Sequence, residues 1–263
     1  HGTFDTGTHT LTVTAADGTV LHAKVIKPRD FDPTKKYPAI VEVYGGPHVQ
    51  MVQDRWIGRW DVTDQYFAQE GYVWFSVDGR GSYRRGKAFE DALYKRMGKQ
   101  ELEDQLAGVA ALKKLPYVDA GRVGIWGWSY GGFMTCYALT HAPAGTFRCG
   151  AAVAPVTDWL NYDTCYTERY LKLPKENAQG YTDSSPVHAA GSLAGAFLLA
   201  QGLVDDNVHF GNSVQMVDAL FAAHKPFEMA YYPRMDHGIR GPGARLDLFT
   251  RLSEFFAKNL RTK

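Results

Sequence analysis

Cysteine is scarce: the 263 residues hold three, Cys136, Cys149 and Cys165. An odd number cannot pair completely, and none stands at zinc-ligand spacing, so each is expected to be a small buried hydrophobe. Neither a metal nor any other cofactor is implied. An excess of charge of one sign is also missing. The 29 basic and 28 acidic side chains leave a formal net charge of +1. Apart from the short Arg84-Arg85 and Lys113-Lys114 pairs the basic residues are scattered, which implies no nucleic-acid partner. The longest apolar runs, residues 149–156 and 196–200, fall far short of the roughly 20 residues that span a bilayer. Repeats and low-complexity tracts are absent. No basic-then-apolar leader precedes the first predicted strand, and residue 1 is His, so the sequence is expected to be a piece of a longer protein. With 45% apolar and 22% charged residues the composition is globular, and residues 1–263 suffice for one large domain.

Residues 8–14 and 19–27 alternate around Asp17-Gly18, which predicts an antiparallel hairpin. Residues 37–44 read as a strand that stops at Gly45-Gly46-Pro47. Residues 60–69 carry helical spacing, and 72–77 form an apolar run of the length of a strand buried on both faces. Asp78-Gly79-Arg80-Gly81-Ser82 tempts a phosphate-site reading but lacks the Gly-Lys-Ser/Thr ending of a P-loop and the third glycine of a dinucleotide fingerprint. Residues 101–115 read as an amphipathic helix ending before Pro116. Further strands are predicted at 150–153, 196–200 and 227–232, and further helices at 212–223 and 245–260. Between 157 and 190 the periodicity breaks down around Trp159, Tyr162, Tyr166, Tyr170 and Tyr181, as in a long functional loop. Strands alternating with helices after an antiparallel start imply an α/β fold with a mostly parallel sheet flanked by helices.

The centre of the chain is the stretch from Arg122 to Met134. A short β-branched and aromatic run leads into Gly127-Trp128-Ser129-Tyr130-Gly131, and an apolar helix-forming pattern follows. Strand, sharp turn and helix in that order are the context of the α/β-hydrolase nucleophile elbow. Small residues on both sides of the serine let the chain reverse, and the helix start lends positive potential where an oxyanion forms. A serine hydroxyl is a weak nucleophile until an imidazole takes its proton, and the imidazole needs a carboxylate to fix its tautomer. In this fold acid and base follow the serine on loops after later strands. The loop after 196–200 offers Asp205 and Asp206, between which spacing does not choose. The loop after 227–232 offers His237. His209 is a weaker base candidate, because it shares a loop with the acids and could hardly bridge from there to Ser129.

Several blocks together carry a resemblance: Gly127-Trp128-Ser129-Tyr130-Gly131-Gly132, Tyr44-Gly45-Gly46-Pro47, Asp78-Gly79-Arg80-Gly81-Ser82, Tyr166-Thr167-Glu168-Arg169-Tyr170, Asp205-Asp206-Asn207-Val208-His209-Phe210 and Asp236-His237-Gly238-Ile239. From about Val25 to about Arg240 the chain resembles the catalytic domain of the dipeptidyl peptidase IV subfamily of the prolyl oligopeptidase family. The resemblance implies an α/β-hydrolase that removes Xaa-Pro or Xaa-Ala dipeptides from peptides with a free N-terminus. It implies Ser129 as nucleophile, Asp205, the first of the two aspartates, as acid and His237 as base. It assigns the oxyanion hole to the Tyr44 hydroxyl and the Tyr130 backbone N–H, and a proline pocket to Tyr130, Val156, Trp159, Tyr162, Tyr166 and Val208, with Asn207 on the substrate carbonyl. An apolar, flat-sided proline ring suits such a pocket. An acylaminoacyl peptidase or esterase of the same clan is the alternative reading, sharing elbow and triad but not the proline pocket.

The resemblance also implies partners. Members of the subfamily carry an N-terminal β-propeller whose paired glutamates hold the substrate's amino group. These 263 residues contain no such unit, so the propeller is expected in a longer parent protein. Some secreted relatives bridge a cysteine at the place of Cys149 to one in the last helix, where this sequence has none. A homodimer is expected, with the closing helix contributing. Its stripe of Leu248, Leu252, Phe255 and Phe256 is otherwise explained by packing on the sheet.

Overall fold

Side-chain alternation sorts the strands onto two faces of one sheet. The computed structural model describes residues 8–53 and 62–261; Trp60 and Asp61, within the predicted helix 60–69, lie outside the described residues. Strands β1 (Thr8–Thr14) and β2 (Val20–Ile26) form the expected antiparallel hairpin. Gly18 turns it with a φ of +87°, a conformation in which a side chain would be strained. β2 also pairs antiparallel with β4 (Val73–Asp78). The rest of the sheet is parallel: β3 (Tyr37–Glu42), β5 (Val118–Trp128), β6 (Cys149–Val153), β7 (Ala196–Gly202) and β8 (Glu228–Tyr232), in the order β1-β2-β4-β3-β5-β6-β7-β8.

Neighbouring residues of a strand point to opposite faces. Ala39 and Val41 of β3 and Val73, Phe75 and Val77 of β4 join one core, which Val109 and Leu112 of α3 (Lys99–Lys113), Phe133 of α4 (Tyr130–His141) and Leu220 of α7 (Gly211–Ala222) complete. The intervening Ile40 and Trp74 join the other core, with Phe67 of α1 (Thr63–Gln69) and Phe256 of α8 (Ala244–Leu260). Helices therefore cover both faces, which suits the apolar runs of the central strands. Leu248, Leu252, Phe255 and Phe256 are all buried in this second core, so that stripe is consumed within the chain.

Three expectations are corrected. Residues 157–190 are not a loop throughout: they hold α5 (Thr164–Leu171), α6 (Ala178–Asp183) and short 3-10 turns. These helices are too short to show an apolar period; α5 has a side-chain cap, the Asp163 carboxylate accepting the Tyr166 N–H at 2.8 Å, and α6 has none. Cys165, on α5, is exposed, while Cys136 and Cys149 are buried; all three are free. α3 is not simply amphipathic, because its first half buries three polar side chains, Glu101, Asp104 and Gln105, beside Leu102. A four-residue helix, α2 (Lys87–Glu90), precedes it and left no signal.

Candidate active site

The carboxyl end of β5 is where the chain reverses most sharply. Ser129 stands between β5 and α4 with φ 61° and ψ −118°, a positive-φ conformation rare for a residue with a side chain. Its backbone is pinned from both directions, its N–H donating to the Val153 carbonyl and its carbonyl accepting from Phe133 N, each at 2.9 Å. The flanking glycines are a steric necessity. A Cβ on Gly131 would lie 2.1 Å from the Val43 carbonyl oxygen, and one on Gly127 would lie 2.4 Å from both that oxygen and the Gly131 carbonyl. The Ser129 side chain does not cap its own helix. It lines a cleft of about 410 Å³ that also takes in Tyr44, Trp128, Asp206 and His237.

Acid and base come from the next loops along the sheet. Asp205, after β7, places Oδ2 2.8 Å from Nδ1 of His237, which follows β8. The carboxylate is buried and saturated: Oδ1 accepts the N–H groups of Asn207 (3.0 Å) and Val208 (2.9 Å), and Oδ2 also accepts Gln201 Nε2 at 2.8 Å. Four donors fix its direction. Asp206 is exposed and makes no such bond to His237, and His209 is exposed in the acid's own loop. Two contacts hold the His237 loop against the elbow. Trp128, the residue before Ser129, donates its indole N–H to the His237 carbonyl at 2.9 Å. Gly202, at the end of β7, lets the loop lie on its backbone, since a Cβ there would meet the Met235 carbonyl oxygen at 2.3 Å.

On the other flank, β3 ends at Glu42 and leaves Tyr44 in the loop beside the elbow. Its ring stacks on that of Tyr130 with centroids 5.8 Å apart. Burial, reinforced by Tyr162 and Tyr170, pushes the Tyr44 phenol up to about 12, so near neutral pH it is an O–H donor. Asp78 anchors the same loop through the Met51 and Val52 N–H groups at 2.9 and 2.8 Å. The Gly-rich run after Asp78 is equally committed, because Arg80 gives its backbone N–H and its guanidinium to Asp104. That occupies the groups a phosphate would need.

The aromatic residues of 157–190 do come together. Trp159 stacks on Tyr166 (6.2 Å, 10°) and meets Tyr130 at 5.7 Å and Tyr162 at 5.8 Å. Tyr130, Val156, Trp159 and Val208 are almost fully buried, with Tyr162 and Tyr166 partly exposed. They do not line the cleft shared by Ser129 and His237; they form a wall that reaches it through Tyr44 and Tyr130. Asn207 is exposed beside that wall and accepts the Tyr162 hydroxyl at 2.7 Å.

Sequence reasoning missed several supporting groups. Gln201 bridges Asp205 and the Val208 carbonyl and is itself held by Ser213 Oγ at 2.9 Å. A lone glutamine closing an apolar strand was its only signal. Glu101, buried under the elbow, had one as well: three polar residues at helical spacing on the face that continues into Val109. Among the described residues no group of three or more His, Cys, Asp and Glu could hold a metal ion, and no helix is long and apolar enough to cross a membrane.

A model of the prolyl oligopeptidase family matches residues 59–263. The chain is 40% identical over 236 residues to mouse prolyl endopeptidase FAP, covering 88% of this chain and 30% of that protein. It is 39% identical over 250 residues to human dipeptidyl peptidase 8, covering 94% of this chain and 28% of that protein. A crystal structure of Porphyromonas gingivalis dipeptidyl peptidase 4 matches with a TM-score of 0.92 and 43% identity over 96% of this chain and 35% of that one. The chain thus spans about a third or less of the length of these relatives.

Proposed function

The chain belongs to the prolyl oligopeptidase family, and from that premise we propose that it is the hydrolase domain, residues 1–263, of a dipeptidyl peptidase. It cleaves after proline or alanine at the second position of peptides with a free N-terminus. A propeller elsewhere in the parent protein supplies the clamp for the substrate's amino group. The observation that carries the reading is the 2.8 Å bond from His237 to a buried, fully bonded Asp205, in a histidine that shares its cleft with the strained Ser129.

In this reading Ser129 Oγ attacks the scissile carbonyl as His237 Nε2 takes its proton, with Asp205 holding Nδ1–H and stabilising the imidazolium. The carbonyl π electrons move onto oxygen, where the Tyr44 hydroxyl and Tyr130 N–H receive them. The tetrahedral intermediate collapses, the C–N bond breaks, and His237 returns the proton to the leaving amine. Water then attacks the dipeptidyl ester by the same route and frees Ser129. The wall of Tyr130, Val156, Trp159, Tyr162, Tyr166 and Val208 receives the proline ring, and Asn207 bonds the carbonyl upstream. A missing methylene in such a pocket discriminates by only about 1–3 kcal/mol, so alanine is accepted and larger side chains are excluded by size. Comparing Gly-Pro and Ala-Pro amides with acetyl-alanyl amides and short esters tests the reading. Faster turnover of the free-amine substrates supports it, and faster turnover of the blocked ones contradicts it in favour of an acylaminoacyl peptidase or esterase.

The homodimer belongs to the same proposal. Its support is apolar surface left outside the core: Phe221 at the end of α7 (75% exposed), Met229 on the edge strand β8 (53%) and Leu246 at the start of α8 (74%). A monomer by light scattering at micromolar concentration would contradict it.

A further inference from the structure

Beneath the elbow lies a carboxyl group that the reaction above does not use. Glu101, in the first turn of α3, is wholly buried. Its Oε1 accepts two hydrogen bonds, from the Tyr130 hydroxyl at 2.6 Å and from the Gly98 N–H at 2.9 Å, while Oε2 is buried without a partner among the described residues. A buried carboxyl held by only one oxygen is costly, and packing alone would be better served by a glutamine or a leucine at that place. The side chain also sits near the loop that carries Tyr44 and near the loop after β4: Cβ atoms built on Gly45 and on Gly81 would lie 3.9 and 3.4 Å from its carbons. It therefore contacts both flanks of the site, the residue after Ser129 and the loop behind Tyr44.

The Tyr130 ring it holds is closely confined. Gly46 lies so near that a Cβ there would be 2.3 Å from the ring, and Phe133 and Trp159 crowd it from elsewhere at 5.0 and 5.7 Å between centroids. Only the hydroxyl end is fixed by a directional bond, and that bond goes to Glu101. We propose that Glu101 is a positioning residue for the elbow: by anchoring the Tyr130 hydroxyl it fixes the ring, and through the ring the backbone N–H that faces the developing oxyanion. The inference rests on the role given to Tyr130 above. Burial pushes the carboxyl up to about 7, with Tyr130 and Gly98 opposing and Asp104 reinforcing the shift. Tyr137 of α4 and Tyr166 of α5 also feel its charge. Such a group is tuned by what it holds, in the manner of residues around reactive sites.

The test uses the 263-residue chain and measures the second-order rate at which a fluorophosphonate probe modifies Ser129, counted per titratable site, beside turnover of a Gly-Pro amide. The probe builds charge in the oxyanion hole without needing a peptide pocket or the amino-group clamp, so a chain that reacts with it but leaves the amide intact still tests the positioning. Glu101→Leu deletes the bond from one end and Tyr130→Phe from the other. Each is expected to slow modification about tenfold, the scale of a lost bond to an ionisable group, and the double variant is expected to be no slower than either single. Glu101→Gln keeps an acceptor and is expected to stay within about threefold of wild type, a rescue that a volume-filling role would not distinguish from leucine. Unchanged rates per site in Tyr130→Phe, or slowdowns that multiply in the double variant, would overturn the proposal. Tyr130→Phe decides the matter even if no Glu101 variant folds. A wild-type chain inert to the probe would overturn both the positioning and the reading beneath it.

Discussion

Replacing Asp205 with asparagine puts the proposed charge arrangement under the most specific strain. The carboxylate receives four donors, two backbone N–H groups on Oδ1 and Gln201 Nε2 with His237 Nδ1 on Oδ2. An amide has one acceptor oxygen. If that oxygen stays on the Asn207 and Val208 N–H groups, the NH2 takes the Oδ2 place, where it opposes another donor on Gln201. It can bond His237 only if Nδ1 is unprotonated. The ring proton then sits on Nε2, the nitrogen that has to take the serine's proton, so the base is blocked. If the amide flips, the buried Val208 N–H loses its acceptor at about 1–3 kcal/mol, and the partly buried Asn207 N–H loses its own at less. Either way the protein loses stability, and a wrong tautomer costs a triad about 10⁴ in kcat, ~5.5 kcal/mol. Asp205→Asn is therefore expected to fold with a lowered thermal midpoint and to turn over Gly-Pro amide about 10⁴-fold more slowly at nearly unchanged KM. A folded variant within tenfold of wild-type kcat would refute the reasoning, because the carboxylate would then not be setting the imidazole's proton.

Tyr44→Phe removes one proposed oxyanion donor and is expected to lower kcat by about 10² to 10³ with little change in KM; an unchanged kcat would remove Tyr44 from the role. Gly131→Ala places a methyl 2.1 Å from a backbone carbonyl that cannot rotate away. It is expected to cost ~3 kcal/mol or more, the upper end of overpacking, as read by denaturant unfolding. Glu101 also predicts a pH dependence of stability. Its folded value is raised, from 4.5 to about 7, so between those values the native state holds a proton that the unfolded chain has released. Its contribution is full below about 4.5 and is lost as pH rises through about 7, a difference of roughly 3 kcal/mol. Glu101→Gln does not titrate, so its midpoint relative to wild type is expected to rise from pH 5 to pH 8; a constant difference would contradict the assignment.

The sheet was legible because its first two strands alternate around Asp17-Gly18 and its central strands are apolar runs bounded by Gly, Pro and Asp, and the elbow because close backbone approach demands glycine at Gly127 and Gly131. The order of the loops after β7 and β8 pointed to Asp205 or Asp206 and to His237. The choice between the aspartates was not legible from spacing, since it depends on which of two adjacent side chains turns inward to meet Gln201 and two backbone N–H groups. Helices α5 and α6 escaped because a local cap on α5 and tertiary packing on both define them, and Cys165 is exposed because it falls on the outer side of α5. Glu101 was only half legible: the helical spacing of Glu101, Asp104 and Gln105 marks a shared face but not its burial. A glutamate in the first turn of a helix reads as an exposed partner of the helix dipole, and only the fold buries that turn under the elbow.

The central claim, that His237 and Asp205 make Ser129 a nucleophile, is tested most directly by locating the fluorophosphonate adduct by peptide mass spectrometry. The account predicts a single adduct on Ser129 in the folded chain, absent after heat denaturation and slowed at least a hundredfold in His237→Ala. An adduct on another residue, or equal labelling of Ser129 in the His237→Ala variant, would contradict it.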